Sequence, residues 1–395
     1  MFNYNAIIVG GGPIGGFIAG KISEKKFRVA VIEKNKEIGI PVNCAGLITP
    51  RVFDLLDIKK DTIIQNKIKG ANIHSPSGKI LSIGGDRIHA LAIDRSKFDK
   101  EIINNAKDKG ADIFLENNLL SAQKIDNHIE IKTSKGNDFK CNLLVGADGP
   151  YSKVRDRFAL PEPKEILRGI GSEVKNSNLD PDFVEIFVGK NIAPGFFAWI
   201  IPINENGTNA RIGLCINRDS PKSPKYYFSN LLKNKHASNL IGNAKITNNF
   251  GGVIPLGALK RTYGSNVLLA GDAAAQVKPT SGGGIYTGIL CASHCSNVSI
   301  EALEKNDFSS QFLKKYHKSW TADIGRELNL GMKFRKIFNH FSDKHFDKYI
   351  EKFQNQKIRE IISKYGDIDY PSKLIKPLLK KTPTLLRLLP SAIKD

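Results

Sequence analysis

The residues of this chain that are best placed to do chemistry are glycines and acids that follow short apolar runs. An apolar run at residues 7–9 leads into Gly10-x-Gly12-x-x-Gly15, and a second apolar run ends on Glu33. In a strand–turn–helix unit, Gly10 permits the tight turn, Gly12 lets the backbone approach a pyrophosphate and Gly15 lets the helix pack on the strand. Glu33 stands where a carboxylate accepts a hydrogen bond from a ribose 2′-OH. The stretch therefore predicts a dinucleotide site for an adenosine without a 2′-phosphate.

A second acid follows a buried strand in the middle of the chain. Residues 143–145 are apolar and run into Gly146-x-Asp148-Gly149, after which the pattern predicts a short helix. Asp148 could bind a cofactor, or it could merely cap that helix. The sequence leaves both interpretations open.

A third acid and a second glycine-rich turn come much later in the chain. Residues 267–270 are apolar and end in Gly271-Asp272, and three glycines at 282–284 then open a helix. A long ligand such as FAD explains two anion-binding helix starts this far apart in sequence. Its pyrophosphate would lie at the first helix, Asp272 would accept a ribityl hydroxyl, and the second helix start would face the flavin ring. The residues alone therefore favour FAD.

Two further stretches could contribute to a pocket. A loop of small residues at 38–50 contains Cys44, which is either a small buried residue or a group that faces the cofactor. The stretch at 194–202 is unusually aromatic and includes Phe197 and Trp199. It is either a strand packing its core face or the apolar wall of a pocket for a hydrophobic substrate.

The elements that must position these residues alternate between helical and strand patterns. Residues 63–88 read as hairpin strands, a helix begins near Asp94, and residues 166–255 are strand-like without the helical crossovers of a parallel sheet. From residue 308 onward the pattern is helical, amphipathic and basic. We therefore predict an α/β fold (α+β overall) with a Rossmann-like nucleotide domain, an antiparallel-sheet substrate domain and a C-terminal helical region. The predicted boundaries are 1–62, 86–165 and 256–300 for a discontinuous FAD-binding domain, 63–85 and 166–255 for the substrate domain, and 301–395 for the helical region.

Composition argues against several classes of protein. The chain has 395 residues, no apolar run long enough to span a membrane, and a first strand so close to its start that no signal peptide is expected. Its five cysteines are scattered and form no CxxC, which indicates a reducing compartment and no structural zinc. The eight histidines show no ligand spacing, so we expect no metal.

The charge balance is strongly basic. Lys and Arg number 59 against 39 Asp and Glu, a net charge of +20. The excess could be a plain solvated surface, or it could serve an anionic lipid surface or an acidic protein partner. Nucleic acid is the least favoured partner, because no basic stretch carries interleaved aromatic residues. Residues 371–394 hold six Lys or Arg and no acid. They form either short helices packed on the body or a segment lying on an anionic membrane, although Pro377, Pro383 and Pro390 interrupt them.

With these motifs placed, the chain resembles the FAD-dependent geranylgeranyl reductase family over nearly its whole length, and within it the archaeal digeranylgeranylglycerophospholipid reductases. Some of these motifs are shared with the wider para-hydroxybenzoate-hydroxylase type of flavoprotein, and they indicate the fold and FAD but not the substrate. They are Gly10 to Gly15, Glu33, Asp94-Arg95-x-x-Phe98-Asp99, Asp148-Gly149, and Gly271-Asp272 with residues 279–285. Narrower motifs are Pro41-Val42-x-Cys44-Ala45-Gly46, Phe197-x-Trp199-x-Ile201-Pro202 followed by Gly213, and Tyr316, Trp320, Gly325, Glu327 and Leu328.

The chain departs from the family's aromatic motif at three positions. Phe197 stands where tyrosine is usual, Ile201 where phenylalanine is usual, and Arg211 where the first glycine of a Gly-x-Gly is usual. The first two changes keep an apolar wall, and the first removes a hydroxyl, so they bear on the substrate's length or polarity. The FAD motifs are intact.

The resemblance also implies which residues touch the ligands. The implied FAD contacts are Gly10, Gly12, Ile14, Gly15, Glu33, Cys44, Ala45, Leu47, Arg95, Leu119, Asp148, Asp272, Gly284 and Ile285. The implied substrate-lining residues are Phe197, Trp199, Ile201 and Pro202. Cys44 is the candidate catalytic residue beside the flavin, and Leu119 has no surrounding motif to fix its alignment.

By resemblance, the activity is saturation of isolated C=C bonds in the geranylgeranyl chains of an archaeal membrane lipid precursor. A hydride from reduced FAD would reach one alkene carbon and a proton the other. The implied partners are an isoprenoid lipid, an electron donor such as an acidic ferredoxin, and an anionic membrane surface on which a cytoplasmic enzyme binds peripherally. A flavin monooxygenase or epoxidase of the same fold and a non-catalytic prenyl-binding protein are the alternatives.

Overall fold

The structure, a computed structural model, describes residues 1–381, and its first layer is a mostly parallel sheet. The strands of this sheet are β1 (Phe2–Val9), β2 (Val29–Ile32), β8 (Asp112–Phe114), β9 (Leu119–Ile125), β10 (His128–Thr133), β11 (Asp138–Gly146), β17 (Tyr263–Gly264) and β18 (Val267–Leu269). Their order is β17–β18–β11–β1–β2–β8, with β10 and β9 added antiparallel beside β11. Along the central β1, Ile8 lies opposite Val145 on one side and Val31 on the other. Successive β1 side chains enter two different cores, because a strand alternates its faces.

Helices cover the parallel sheet. They are α1 (Pro13–Ser23), α2 (Arg51–Asp54), α3 (Arg95–Asp108), α4 (Lys153–Arg157) and α7 (Ile285–Lys305). On α1, a Cβ atom built at Gly16 would come within 2.9 Å of both Ile102 and Ile103 of α3. Small residues on α1 therefore allow close packing of α1 on α3, and this packing holds the helix that starts at the first glycine motif.

A second sheet forms the substrate layer. Its order is β16 (Lys245–Leu256), β12 (Glu165–Lys175), β15 (Asn209–Asn217), β14 (Ala198–Pro202), β13 (Phe183–Phe187), β5 (Gly70–His74) and β6 (Ile80–Gly84). All neighbours pair antiparallel except β13 and β5, which are parallel. The predicted antiparallel layer is therefore confirmed, with this one parallel pair inside it.

Two helices that the sequence analysis missed cover the outer face of the second sheet. They are α5 (Pro224–Lys233) and α6 (Lys235–Ile241), within a stretch predicted to be strand-like. Ser223 and Asn234 cap them, and Tyr227 and Leu231 are buried one turn apart. A capping serine followed by proline at the first helical position was the available signal.

A small third sheet joins the two layers. It contains β3 (Leu47–Ile48), β7 (Ala90–Ile93) and β4 (Ile64–Ile68), with β7 in the middle. The predicted substrate segment 63–85 is therefore divided, because β5 and β6 join the second sheet whereas β4 pairs with β7. Likewise, α7 continues past the predicted boundary at residue 300.

The C-terminal region is helical, as predicted. It contains α8 (Ser310–Trp320), a π-helical segment (Thr321–Gly325), α9 (Arg326–Asn339), α10 (Asp343–Phe353), α11 (Gln356–Tyr365) and α12 (Ser372–Lys381). Most of the basic leucine-rich segment at 371–394 lies outside the described residues. Among residues 1–381, no helix combines the length and the apolar character needed to cross a bilayer.

Candidate functional site

The first glycine turn is shaped by close backbone contacts and stays open on one side. Gly10 has φ of 110°, and a Cβ atom there would lie 2.2 Å from the Ala147 carbonyl oxygen. A Cβ atom at Gly15 would lie 1.9 Å from the Gly10 carbonyl oxygen, whereas one at Gly12 would meet no heavy atom within 4 Å. Gly12 is also the N-cap of α1 and supplies no side-chain cap. The start of α1 therefore presents backbone N–H groups beside open space, as an anion site requires.

Glu33 ties this turn to the end of β2. One oxygen of its buried carboxylate accepts from the Gly11 N–H at 2.7 Å, and the other accepts from the Asn35 N–H at 2.8 Å. Each carboxylate oxygen has a second lone pair that can accept a ribose hydroxyl. The predicted role of Glu33 therefore fits its position.

Asp272 and the start of α7 lie beside the start of α1. Ile14 contacts both Gly271 and Gly288, because Cβ atoms at these glycines would fall within 2.9 Å and 2.6 Å of the Ile14 side chain. A Cβ atom at Gly284, the uncapped N-cap of α7, would lie 3.1 Å from the Asp272 Oδ1 atom. The structure therefore brings together two helix starts that are separated by most of the chain.

Residues of the C-terminal helices hold the Asp272 turn in place. Gln276 accepts from the Gly271 N–H at 2.9 Å and donates to the Tyr316 hydroxyl at 2.8 Å. Tyr316 donates to the Leu269 carbonyl at 2.9 Å, and the Trp320 indole donates to Thr262 at 3.1 Å. Two of the C-terminal motif residues, Tyr316 and Trp320, thus anchor α8 to the strand and turn that carry Asp272.

The Asp272 carboxylate has no hydrogen-bonding partner in the part of the chain that the structure describes. Within residues 1–381, it makes no hydrogen bond or ion pair. Burial raises its pKa to about 6, and the Arg95 guanidinium opposes that rise. The side chain lies deep in the molecule yet keeps some accessible surface. An acid in this state is ready to accept hydrogen bonds from a ligand.

Arg95 connects Asp272 to Cys44. Its guanidinium donates to both oxygens of buried Asp99, at 3.1 Å and 2.9 Å. Burial by itself would lower the pKa of Arg95, but the Asp99 carboxylate and the nearby Cys44 thiol outweigh it and raise that pKa. Burial raises the pKa of Asp99, and Arg95 opposes the rise. Asp94 caps α3 by accepting from the Ser96 and Lys97 N–H groups, which places Arg95 at the helix start.

Cys44 lies between Arg95 and the centre of the second sheet. Its Sγ atom accepts from the Gly46 N–H at 3.4 Å. Burial raises the pKa of Cys215 on β15 to about 12; Arg335 opposes this and Cys44 adds to it. Neighbouring Asn43 approaches Gly252 of β16, where a built Cβ atom would lie 3.9 Å from the Asn43 Cβ. Cys44 therefore lies near both the nucleotide layer, where Arg95 is, and β15 of the substrate layer, where Cys215 is.

Arg211 fixes the loop that carries Cys44. Its guanidinium donates to the Ala45 carbonyl at 3.1 Å, the Ile93 carbonyl at 2.9 Å and the Gln65 side chain at 2.8 Å, and it pairs with Glu173 at 3.2 Å. The side chain is buried. A Cβ atom at Gly46 would lie 2.4 Å from the Arg211 Nη1 atom, so the glycine makes room for it. The arginine that departs from the family pattern is thus a bridge between β15 and the Cys44 loop.

The aromatic stretch at 194–202 forms an apolar wall on the face of the second sheet opposite to the one that α5 and α6 cover. Phe196 and Phe197 stack with ring centres 4.3 Å apart, and Phe197 meets the edge of Trp199 at 6.2 Å. Trp199 lies over Gly213 and packs with Ile201, Ala45 and Leu47. Its buried indole Nε1 has no hydrogen-bond partner in the part of the chain that the structure describes.

Pro202 does not share the face of Trp199. Strand alternation turns it to the opposite side, where its neighbour Ala210 belongs to the outer core. Its carbonyl accepts from the Asn66 side chain at 3.1 Å. Pro202 therefore lies on the face of β14 opposite Trp199 and Ile201, and its substrate-lining role remains a prediction.

The remaining sequence-predicted residues occupy less decisive positions. Asp148 accepts from the Ser152 hydroxyl at 2.6 Å and the Val154 N–H at 3.1 Å, so it closes the turn before α4, and burial raises its pKa. The Leu119 side chain is buried in the apolar core that contains Ile7 and Val9, on the face of β1 opposite to the one that packs against α1. Ile285 is the first residue of α7. FAD contacts for these residues remain predictions.

A charge network beside the glycine-rich turn was not predicted. Lys278 pairs with fully buried Asp369 at 2.6 Å, and Asp369 also accepts from the Thr49 hydroxyl at 2.6 Å. Arg51 donates to Asp367 at 2.7 Å and to Asp369 at 3.3 Å. Burial would raise the pKa of Asp367, but the hydrogen bonds from Arg51 and Lys373 hold it well below its usual value. No local motif signals this network, because its members come from three distant segments.

Comparison with known proteins identifies the family. The model of the FAD binding domain family matches residues 3–322. A digeranylgeranylglycerophospholipid reductase of Methanocaldococcus jannaschii is 30% identical over 393 residues, which cover 97% of each chain. The chain belongs to the FAD-dependent geranylgeranyl reductase family. An uncharacterized protein of the same organism is 34% identical over 382 residues, which cover 96% of this chain and 95% of its own.

A solved structure shares the fold. The geranylgeranyl bacteriochlorophyll reductase-like protein of Thermoplasma acidophilum superposes with a TM-score of 0.86 at 24% identity and covers 98% of both chains. The prediction of a para-hydroxybenzoate-hydroxylase type of fold, with an antiparallel sheet and C-terminal helices, is confirmed. So are the predictions of an oxidoreductase and of FAD as its cofactor.

The residues of this family member fit FAD. The uncapped start of α1 beside open Gly12 suits a pyrophosphate, and Glu33 suits an adenosine ribose. Asp272 supplies a carboxylate that no group of residues 1–381 binds, next to the uncapped start of α7. Trp199 Nε1 offers a buried donor that also lacks a partner within residues 1–381.

Proposed function

We propose that this FAD-dependent oxidoreductase saturates C=C bonds of geranylgeranyl chains in an archaeal membrane lipid precursor. The observation that carries the proposal is the apolar wall of Phe197, Trp199 and Ile201, because Trp199 and Ile201 share one apolar cluster with Ala45, the residue after Cys44. The related enzyme of Methanocaldococcus jannaschii is named for a digeranylgeranylglycerophospholipid. A wall without a charged side chain suits an unactivated alkene, which offers no carbonyl for the protein to polarise.

The residues act by placement and by proton supply. Reduced FAD supplies a hydride when it is bound. Trp199 and Phe197 would contact the chain and exclude water, so that the alkene stays close to the cofactor. The Cys44 Sγ atom, which accepts from the Gly46 N–H and lies near Arg95, is the candidate to give a proton to the second alkene carbon. Hydride and proton together add two hydrogens across one C=C bond.

Two partners follow from the surface charge. A chain with a net charge of +20 would attract an acidic electron donor such as a ferredoxin, and also an anionic membrane surface from which a hydrophobic lipid passes to the pocket. Cytoplasmic, peripheral association with the membrane is part of the same proposal. Vesicle co-sedimentation at low and high salt tests the membrane part.

The central test is anaerobic turnover. The FAD-loaded protein is reduced with dithionite, mixed with the digeranylgeranylglycerophospholipid, and the lipid is followed by mass spectrometry. We expect stepwise gains of two hydrogens. Unchanged lipid with a normal flavin spectrum would refute the reductase. In a parallel run with air admitted, gain of an oxygen atom by the lipid would indicate a monooxygenase.

The role of Cys44 is tested by comparing how much a substitution reduces turnover with how much it reduces the FAD that the protein retains. Cys44→Ala is expected to reduce turnover much more than FAD retention, because the thiol moves a proton but is only one of many FAD neighbours. Cys44→Ser keeps a proton donor and is expected to recover part of the rate. Equal losses of turnover and FAD in both variants would contradict a catalytic role.

A further inference from the structure

The turn between α11 and α12 exposes apolar side chains to solvent. Tyr365 ends α11 and Ile368 lies in the turn, and their exposed fractions are 36% and 43%. Ile88 is 41% exposed and lies in the same region, because the guanidinium of its neighbour Arg87 donates to the carbonyl of Ser363 in α11 at 3.3 Å. Burying these three side chains against a partner would be favourable, since each would remove apolar surface from water.

The exposed charges of α11, the turn and α12 are almost all positive. The exposed cations of the described stretch 356–380 are Lys357, Arg359, Lys364, Lys373, Lys376 and Lys380. Glu360 is the only exposed acid of that stretch, and its carboxylate accepts from the Gln356 side chain at 3.1 Å. On α12, Lys373, Lys376 and Lys380 follow spacings of three and four residues, so they share one face of the helix.

The remaining acids of this region are held by cations of the protein. Asp367 is mostly buried and pairs with Arg51 at 2.7 Å and with Lys373 at 3.1 Å. Asp86 pairs with the adjacent Arg87 at 3.1 Å. Three exposed lysines form no ion pair within residues 1–381: Lys364, Lys376 and Lys380. The surface around the turn therefore has an excess of positive charge that an anionic partner would neutralise.

The buried side of the same turn is attached to the candidate functional site. Asp369 follows Ile368 directly, is fully buried, and pairs with Lys278 of the glycine-rich turn at 2.6 Å. The Tyr370 hydroxyl lies 2.9 Å from the hydroxyl of Tyr286 on α7. A partner that covers Ile368 would therefore lie beside the turn that is predicted to face the flavin.

We propose that the turn between α11 and α12, together with the lysine face of α12, docks on an anionic lipid bilayer. The inference rests on the proposed function, in which a membrane supplies the lipid substrate, and adds which face of the chain meets that membrane. The lysines attract the anionic headgroups, while Tyr365 and Ile368 enter the boundary between headgroups and acyl chains. A bilayer uses the charge and the apolar side chains at once and also holds the hydrophobic substrate, which favours it over an acidic protein.

The test measures co-sedimentation of the FAD-loaded full chain with vesicles. One kind of vesicle mixes phosphatidylglycerol with phosphatidylcholine, and the other contains phosphatidylcholine alone. The first variant neutralises three lysines of the proposed surface: Lys364→Gln, Lys376→Gln and Lys380→Gln. Its matched control neutralises three exposed lysines elsewhere that form no ion pair within residues 1–381: Lys107→Gln, Lys124→Gln and Lys314→Gln.

A second variant removes the apolar contact without changing the charge. It carries Tyr365→Ser and Ile368→Ser. Its matched control carries Tyr226→Ser on α5 and Ile246→Ser on β16, whose exposed fractions are 49% and 43%. Far-UV circular dichroism and the visible flavin spectrum check that every variant is folded and loaded.

We expect the original chain to bind the anionic vesicles, to prefer them to the neutral ones, and to bind less at high salt. The lysine variant should bind the anionic vesicles roughly 100-fold more weakly, since each lysine near an anionic surface contributes about a fivefold factor. The serine variant should bind them roughly tenfold or more weakly, because two large side chains no longer enter the bilayer. Both controls should bind like the original chain.

Three results would overturn the inference: unchanged binding in both variants, equal losses in the controls, or no binding of the original chain to anionic vesicles. A loss in the lysine variant without a loss in the serine variant would also overturn it, because charge alone would then explain the binding, as it would for an acidic protein partner.

The inference and the proposed reaction can fail separately, because sedimentation does not require turnover. A chain that binds vesicles through this surface but does not reduce the lipid in detergent would refute the reaction and support the surface. A chain that reduces the lipid in detergent while its variants bind vesicles unchanged would support the reaction and refute the surface.

Discussion

Replacing Asp272 by asparagine should make the FAD-free protein more stable and the FAD complex weaker. The two effects have one cause, because the carboxylate is buried without a partner among residues 1–381 and is therefore available to a ligand. Burial raises its pKa from an ordinary value of 3.8 to about 6. The folded state then binds a proton more readily than the unfolded state, so ionisation of Asp272 favours unfolding.

The magnitude follows from the size of the pKa shift. A shift of about two pKa units, at 1.36 kcal/mol each, destabilises the folded FAD-free protein by about 3 kcal/mol once the group is fully ionised. The penalty is absent below about pH 4, develops between pH 4 and pH 6, and is complete above pH 6. Asp272→Asn removes it, so its stability gain should appear only above that window.

The effect on FAD has the opposite sign. An ionised carboxylate that accepts a ligand hydroxyl contributes about 1.5–3 kcal/mol, so the asparagine variant should bind FAD about 10- to 100-fold more weakly. Urea unfolding of the FAD-free protein, followed by circular dichroism at pH 4 and pH 8, measures the first effect. Titration with FAD, followed by flavin fluorescence, measures the second.

Asp367→Asn is the opposite-sign control. Arg51 and Lys373 hold the pKa of Asp367 below its usual value, so its ionised form stabilises the fold above about pH 4. This variant should lose stability at pH 8. If Asp272→Asn also lost stability at pH 8, or bound FAD as tightly as the original chain, the account of Asp272 as an unpartnered ligand acceptor would be refuted.

Other substitutions test the contacts that surround the site. Arg211→Met should lower the free energy of unfolding by about 3 kcal/mol, because it removes a buried guanidinium from its half-buried partner Glu173 and leaves the Ala45 and Ile93 carbonyls without that donor. Arg211→Lys should recover little of this stability, since lysine lacks the guanidinium fork. Full stability of the lysine variant in urea denaturation would contradict this account. Asp369→Asn should lower the free energy of unfolding by about 3–5 kcal/mol, because it leaves Lys278 buried without its ion pair. A loss of less than about 1 kcal/mol would show that this buried pair does not stabilise the fold. Gly12→Ala should leave the thermal midpoint of the FAD-free protein nearly unchanged but weaken FAD binding, because the added methyl group would enter the open space beside the turn. Gly15→Ala should lower the thermal midpoint of the FAD-free protein itself, because the methyl group would collide with the Gly10 carbonyl. Equal changes of the thermal midpoint in the two variants would contradict the claim that the first turn is open at Gly12.

The local nucleotide elements could be predicted from sequence because their physics is local. A strand, a turn that needs Gly10 and a helix that needs Gly15 are specified by residues close together in the chain, and the structure places them as predicted. Asp272 and the glycine-rich turn could be recognised for the same reason. The helices α5 and α6 were missed because their caps and short apolar spacing lie within a long strand-rich stretch.

Some features of the site could be learned only from the tertiary structure, because they depend on contacts between residues that are distant in the sequence. The face on which Pro202 lies follows from the register of β14 with β15, not from the residue itself. Asp369 reaches Thr49 across 320 positions, and Arg211 reaches Ala45 across 166. The cavity of about 1030 Å³ between the second sheet and helices α9 and α10 is formed by segments that are distant in the sequence. The sequence by itself determined the FAD-binding βαβ unit and the acids it presents, because backbone sterics and hydrophobic periodicity act over a few residues. Only the tertiary packing decided which side chains meet between the two sheets and the helices. The energies of burial and of ion pairing depend on neighbours that are distant in the sequence, and a local sequence pattern does not identify them.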